Sequence, residues 1–599
     1  MRASNIRRAL IGLATGAIAA LGATGASAQT YFPPDVDKSQ CSLSAEEFQT
    51  WITLTLPGTS TPIGPVYDKT SGMAYIFPVD GPNFVIDNDH GGTGPVKCDF
   101  YKWGAQMFLW LTSTIDDGGT IPSSPSFPAT LPYVFNSEFF YRLSADHQQL
   151  IAQGSLAGDN SKSLAIALRT AKSDDKDESI GQAGGSGVLL TQSDSPADAS
   201  LTYYGVHVNR LYGYFTNINK AAKTPEQDFP TTGTEACQDI KYAMQNGYAE
   251  NTVIAKLLYS IYCTTASPSP SAMELKSNTD AAMKTAGVTS TSALTIPELE
   301  PAVDYLSMAV EVKSAWVDAS AVADKSKHVL QNLEVPVYDR SDPNHWLMIG
   351  SETRELALVG MHVVGTVKDH PEMVWATIEH VSNAPDSTYY YTDTSGTVQT
   401  VSGPQPGSSW IYSNGTVVDS ITLHARGCDG YQPPTSCLSK TDIVSVGDNE
   451  VIGPNGNDPI EASNVTRLHP WGNVQSKTDS FAVSQTTQII SLNNDVMAHV
   501  KNLLAGDPRQ YYYLSGAIWT SNGSIPDNGD YQYNTGSLIL ANTTMETFHQ
   551  ELSCFGCHYS SSSSDGLGVS HIYGGLNGEL PKIPADHGAM MKKADKKKK

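Results

Sequence analysis

Leu356-Ala357-Leu358-Val359-Gly360-Met361-His362-Val363-Val364-Gly365-Thr366-Val367 is followed, after Lys368-Asp369-His370-Pro371, by Met373-Val374-Trp375-Ala376-Thr377-Ile378-Glu379-His380-Val381. Both runs are apolar and rich in β-branched residues, and a polar, proline-containing link separates them, so Trp346 to Val381 reads as strands. Downstream, Tyr389 to Glu461 is rich in Gly, Thr and Ser and reads as β-structure with long loops. Upstream, Val66 to Asp87 holds two apolar-rich runs broken by Gly and Pro, which predicts a hairpin. Tyr101 to Leu111 carries Trp103, Met107, Phe108 and Leu111 at helical spacing, and predicts a buried helix. Ala45 to Trp51 and Tyr242 to Tyr262 also read as helical, Lys172 to Ser200 as a surface loop, and Ala266 to Ala272 as a connector.

Composition agrees with a loop-rich, strand-containing chain. Charged residues make up 17% of the 599 residues, below a globular average of about 25%. The formal net charge is −23. Such an acidic body argues against nucleic-acid binding and suits a basic partner. A Lys run at residues 596–599 reads as a solvated tail.

At the start of the chain, Arg2, Arg7 and Arg8 precede an apolar run from Ala9 to Ala23, and Ala26-Ser27-Ala28 offers small residues for cleavage. This predicts a secretory signal peptide over residues 1–28 and a periplasmic or secreted protein. No later apolar stretch is long enough to span a bilayer, so no transmembrane anchor is expected.

Export makes the cysteines informative. Cys554-Phe555-Gly556-Cys557-His558 spells C-x-x-C-H, the attachment motif of a c-type haem. With 8 Cys and 15 His in the chain, chance yields roughly 0.003 such strings, so the motif is not accidental. Two thiols add to the haem vinyl groups while the adjacent imidazole reaches the iron. One covalent haem c is expected, on Cys554 and Cys557, with His558 as axial ligand. A zinc half-site would want a second Cys/His pair at ligand spacing, and no second C-x-x-C exists. The remaining cysteines form an even set, with local pairs Cys41–Cys98, Cys237–Cys263 and Cys428–Cys437 expected as disulfides.

Thr543-Thr544-Met545-Glu546 fits a capping box and predicts a helix carrying Met545, Phe548, His549 and Leu552 into the motif. Asp495 to Leu504 predicts another helix, stopped by Gly506. For the sixth iron position His571 is the first candidate and Met545 the second, with Met590, Met591 and His549 behind them; an open position is the alternative. His345, His362 and His380 read as satisfied core or surface histidines, and the triplets Tyr389–Tyr391 and Tyr511–Tyr513 as alternating strand residues.

The run Leu540 to Thr547, leading into Cys554-Phe555-Gly556-Cys557-His558 and on to Ser570-His571-Ile572, resembles large secreted bacterial monohaem proteins of the cytochrome c family. The resemblance is strong over residues 538–582 and weaker at Cys98 to Thr112 and Leu356 to Pro385. It implies covalent haem, a periplasmic location and a redox function. The motif lies late in the chain, unlike that of a compact class I cytochrome, so the preceding region must complete the haem surroundings.

These readings predict an α+β protein: a large β-rich, loop-rich N-terminal region and a small, mostly helical C-terminal haem c segment. The divisions are a signal peptide (1–28), a mixed α/β region (29–265), a β-rich region (273–490), a helical haem-binding segment (491–586) and a basic tail (587–599). The expected function is electron transfer with a redox partner protein. The alternatives are small-ligand sensing, or peroxidase-like oxidoreductase chemistry at an open sixth position.

Overall fold

The computed structural model describes residues 31–48, 66–68, 73–75, 97–114, 133–136, 140–143, 150–152, 187–209, short runs between 212 and 242, 309–367, 370–403, 410–428, 439, 441–446, 459–521, 523–527, 533–559 and 566–576. Its frame is one 11-stranded sheet. In chain order the strands are β1 (Phe140–Leu143), β2 (Leu150–Ala152), β3 (Tyr203–Asn209), β4 (Val310–Asp318), β5 (Leu330–Asp339) and β6 (His345–Val367). They continue with β7 (His370–His380), β8 (Ala425–Gly427), β9 (Ile443–Ser445), β10 (Tyr512–Thr520) and β11 (Asn534–Gly536). Across the sheet the order is β11-β10-β7-β6-β4-β3-β1-β2, with β5 and β9 also pairing β6, and β8 pairing β9.

The expected strand pair is thus the centre of the sheet, and both members reach further than the sequence reading gave them. Strand β6 pairs antiparallel with β7 from Gly360↔Glu379 to Val367↔His370. It pairs with β4 along its other side. From Leu356 onward it is buried almost throughout, which explains the near-continuous apolar run: both faces of the sheet are covered. One face takes two helices, α1 (Lys97–Leu111) and α2 (Ser480–Leu503).

The approach of α1 is close. A Cβ on Gly104 would lie 2.8 Å from the Ala376 Cβ, and one on Gly365 would lie 3.1 Å from the Trp103 ring. Glycine at these two positions lets helix and sheet backbones meet. Helix α2 starts well before the expected Asp495, at an Asp479 cap whose carboxylate accepts from the Phe481 and Ala482 N–H groups. Its Asn493 donates to the Leu514 carbonyl at 2.8 Å and accepts from the Leu514 N–H at 2.9 Å, filling the ladder where β10 bulges away from β7. The C-terminus of α1 is closed by Arg509, which donates to the Leu109 carbonyl at 2.6 Å.

Several expectations hold. The hairpin appears as Val66–Asp68 paired with Met73–Tyr75, the helix at Lys97–Leu111 is buried, and the Cys41–Cys98 disulfide forms. Cys237 and Cys428 are disulfide-bonded as well; Cys263 and Cys437 lie outside the described residues, as do the signal peptide, the connector and the helix expected beyond Tyr242. Tyr389 and Tyr391 are buried with Tyr390 half-buried between them, the alternation expected of a strand. Part of the loop expected at Lys172 to Ser200 is instead interior: Val188, Leu189 and Leu190 are buried.

The α+β division with a helical C-terminal haem segment is corrected. Among the described residues the regular structure is mostly β-sheet, and the long helices are not gathered at the C-terminus. Among the described residues after Leu503, the α-helices are single turns, α3 (Cys554–Cys557) and α4 (His571–Gly575). The segment expected to be helical supplies β10, which lies beside β7 in the sheet. The helix expected after Thr543 is a series of turns, because long-range partners take its capping groups, as detailed below. The single sheet draws strands from all three large regions of the sequence division.

Candidate haem attachment site

The sheet face opposite α1 and α2 carries residues 538–559 and 566–576. Their placement begins at Asn542, whose side-chain oxygen accepts from the Thr544 N–H at 2.9 Å and so opens an Asx turn. The Glu546 carboxylate returns to accept the Asn542 N–H at 2.9 Å, a capping arrangement one residue displaced from the expected Thr543 box. A helix does not propagate. Thr543 N–H donates to Glu379 at 3.1 Å, and the Thr543 hydroxyl donates to the same carboxylate. The Asn542 amide donates to Thr377 Oγ1 at 2.8 Å and to the Ile378 carbonyl at 3.1 Å. Tyr204 donates to the Thr544 carbonyl at 2.7 Å. These bonds to β3 and β7 outweigh local helix propensity, which is weak in a threonine-rich stretch.

Two acids, one fully buried and one half-buried, fasten this turn. Glu379 is fully buried and pairs with Arg467 at 2.8 Å. Burial pushes its carboxyl upward, but Arg467 and the Thr543 hydrogen bonds more than offset this and hold it below the usual carboxylate range. Arg467 also pairs with Asp386. Glu546 pairs with His362 on β6 at 3.0 Å. Burial raises it as well, and His362 brings the net shift below the usual value. Between these anchors Gly360 makes room: a Cβ there would stand 2.3 Å from Thr544 Oγ1.

The turn leads to Ser553, the N-cap of α3. In one helical turn Cys554 and Cys557 fall at i and i+3 and share a face. Phe555 turns inward, 1% exposed, with its ring 6.2 Å from that of Trp375. The His558 N–H closes the turn on the Cys554 carbonyl at 2.7 Å. Cys554 and Cys557 carry thiols, unlike Cys41, Cys98, Cys237 and Cys428, which are disulfide-bonded. Burial first, then Glu546 and Cys557, pushes the Cys554 thiol well above the usual range. It therefore stays protonated, a form slow to enter disulfide exchange.

His558 meets three partners. Its Nδ1 lies 3.1 Å from the Val569 carbonyl, its ring centroid is 4.2 Å from that of Trp375, and it stacks on His571 at 4.2 Å and 25°. A carbonyl only accepts, so Nδ1 carries a proton in this contact. The returning chain is pinned behind it: Ser570 donates to Glu311 on β4 at 2.6 Å and shares a 2.7 Å hydrogen bond with the Tyr212 hydroxyl.

The structure thus brings together Cys554, Cys557, His558 and His571. His571 lies with its ring face on His558 and its Nε2 3.1 Å from the Cys557 carbonyl. Met545 is elsewhere, fully buried in a separate apolar cluster with Tyr204, Ala315 and Val359. Met590 and Met591 lie outside the described residues. The other histidines disperse: His345 pairs with Asp442 at 3.2 Å, and His380 stacks on His328 at 3.8 Å. Among the described residues no three His, Cys, Asp or Glu side chains converge as a metal-holding group.

Sequence reasoning did not single out Trp375, Glu379 or Gly360 as parts of the site. The one pointer was the resemblance noted over Trp375 to Val381, which places β7 and the motif in the same family of features. Among the described residues no helix is long and apolar enough to cross a membrane. Compared with family models, curated proteins and solved structures, the chain matches none.

Proposed function

We propose that this chain is an exported monohaem c-type electron-transfer protein. In this reading the haem is held covalently by Cys554 and Cys557, with His558 as axial ligand. The observation that carries the reading is the state of the three motif side chains: two thiols on one face of a single turn, and an imidazole whose Nδ1–H is committed to the Val569 carbonyl. That commitment orients the ring, as carbonyl partners do at metal-ligating histidines, and Nε2 is the atom that would meet the iron. Haem iron would supply a one-electron change between ferrous and ferric forms. The protein's part is to hold the ligand and present the site to a partner. With a net charge of −23, a basic redox partner fits by electrostatic steering.

A second reading has two observations in its favour. His571 faces His558 ring to ring, and Met545 is buried in another cluster. An exchangeable sixth position, open to a small ligand or peroxide, follows if no protein group, Met590, Met591 and His549 included, reaches the iron.

The test is a visible spectrum of the purified protein, oxidised and reduced, with and without carbon monoxide. A haem band that survives denaturation and disappears in Cys554→Ala is expected. Absence of any such band ends the haem reading. Rapid carbon monoxide binding to the reduced form selects the second reading over simple electron transfer.

A further inference from the structure

Building on the haem reading, we infer that Trp375 and His571 form a two-ring clamp that sets the plane of the His558 imidazole. His571 acts beside that ligand, not across the iron from it. Both rings stand 4.2 Å from the His558 centroid, Trp375 tilted by 42° and His571 by 25°. Two imidazoles sharing one iron aim ring nitrogens at it from opposite sides. Here the faces oppose, and His571 Nε2 is engaged with the Cys557 carbonyl at 3.1 Å.

Each jaw is held from outside the motif. The Trp375 indole N–H donates to the Glu372 carbonyl at 3.1 Å. That reach of three residues along β7 depends on a kink at Met373, which has φ of 67°. A bulky residue adopts that conformation only where its surroundings enforce it. They do so here: the Glu372 carboxylate is fixed by His370 at 2.8 Å and by the Thr520 N–H and hydroxyl at 3.0 and 2.9 Å. The other jaw follows Ser570, tied to Glu311 and Tyr212. A ligand ring with its Nδ1–H bonded and both flanks occupied cannot rotate freely. Ligand orientation and hydrogen bonding are levers on haem electronics. Trp375 is therefore a positioning residue acting through His558.

The experiment compares full-length, haem-loaded wild type with Trp375→Leu, Trp375→Phe, His571→Phe and His571→Ala. It reads the ferric electron paramagnetic resonance spectrum, the absorption bands that report spin state, and the midpoint potential. Trp375→Leu is expected to change the g-anisotropy and shift the potential, and Trp375→Phe to restore both substantially. His571→Phe keeps the ring contact and is expected to leave the spin state unchanged.

A switch from low to high spin in both His571 variants overturns the inference, since His571 would then be the sixth ligand. Unchanged resonance and potential in Trp375→Leu overturn it as well. A haem-free Cys554→Ser/Cys557→Ser protein gives an independent reading by nuclear Overhauser contacts. Contacts of the His558 ring with both Trp375 and His571 are expected, and their absence counts against the clamp. Because this arm needs no haem, failure of the haem reading and failure of the clamp remain separate outcomes.

Discussion

At the scale of single residues, the fold rests on groups that have no room to change. Gly360 lies within a strand, where alanine is ordinarily the better residue, yet its missing side chain is where Thr544 sits. Gly360→Ala is expected to cost about 1–3 kcal/mol, as overpacking does. It should also lower the ratio of haem absorbance to protein; a thermal midpoint equal to wild type would refute the close-approach argument. Glu379 is a different kind of constraint. Glu379→Gln keeps the shape but leaves Arg467 buried with Asp386 as its remaining acid, and breaking a buried pair typically costs about 3–5 kcal/mol. Urea denaturation reads this directly.

The buried histidines set a pH dependence. Burial lowers His328 to about 4 and His207 to about 3, with Arg142 adding to the latter. His380 is lowered well below the usual range by burial and by His328 stacked on it. Each is neutral when folded and takes up a proton on unfolding once the pH is below about 6.5. Their stabilising contribution is therefore complete above that value and is lost as pH falls toward 4 and then 3. The urea midpoint should be lower at pH 5 than at pH 7.5, and His328→Gln should flatten the difference. A higher midpoint at pH 5 would contradict this assignment.

Among the elements, those that declare themselves locally were legible and those imposed from a distance were not. Strands β6 and β7 are apolar, β-branched and punctuated by a polar link, and α1 shows its packed face by spacing alone. The turn at 542–547 reads as a helix start because Thr543 and Glu546 stand three apart. What overrides it is Glu379, Thr377 and Tyr204, far away in sequence. The motif residues Cys554, Cys557 and His558 were visible because covalent attachment demands fixed spacing. Trp375 was not visible as a neighbour of His558, since no local pattern relates a strand tryptophan to a ring so far along the chain. The Cys41–Cys98 bridge belongs to this scale as well: it ties the start of α1 to the segment leading to it. Removing it with Cys41→Ala/Cys98→Ala should cost about 2–5 kcal/mol. Haem attachment should persist, because the motif thiols stand apart from that bridge. Loss of attachment in a still-folded variant would argue that the two are coupled.

For the whole molecule, the described part of the segment that carries the C-x-x-C-H motif is a covering for the sheet and not a domain of its own. Its contacts at Gly360, Glu379, His362 and Glu311 all lie on strands that come earlier in the chain. A peptide of residues 538–599 is therefore expected to be unstructured by circular dichroism. A chain cut before residue 538 should expose Glu379 and Arg467 and lose its cooperative transition. A folded isolated peptide would refute this.

The same wiring bears on time. Asp495 on α2 accepts from the Leu43 N–H across 452 residues, and β10 closes onto β7 after more than a hundred intervening residues. Chains dominated by such distant pairings fold slowly. During that delay Cys554 has not yet met the Leu540 carbonyl, which lies 3.7 Å from its Sγ in the finished fold. On the proposed haem reading this delay is a kinetic window in which an attachment apparatus can reach both thiols, and completion of the fold shuts it.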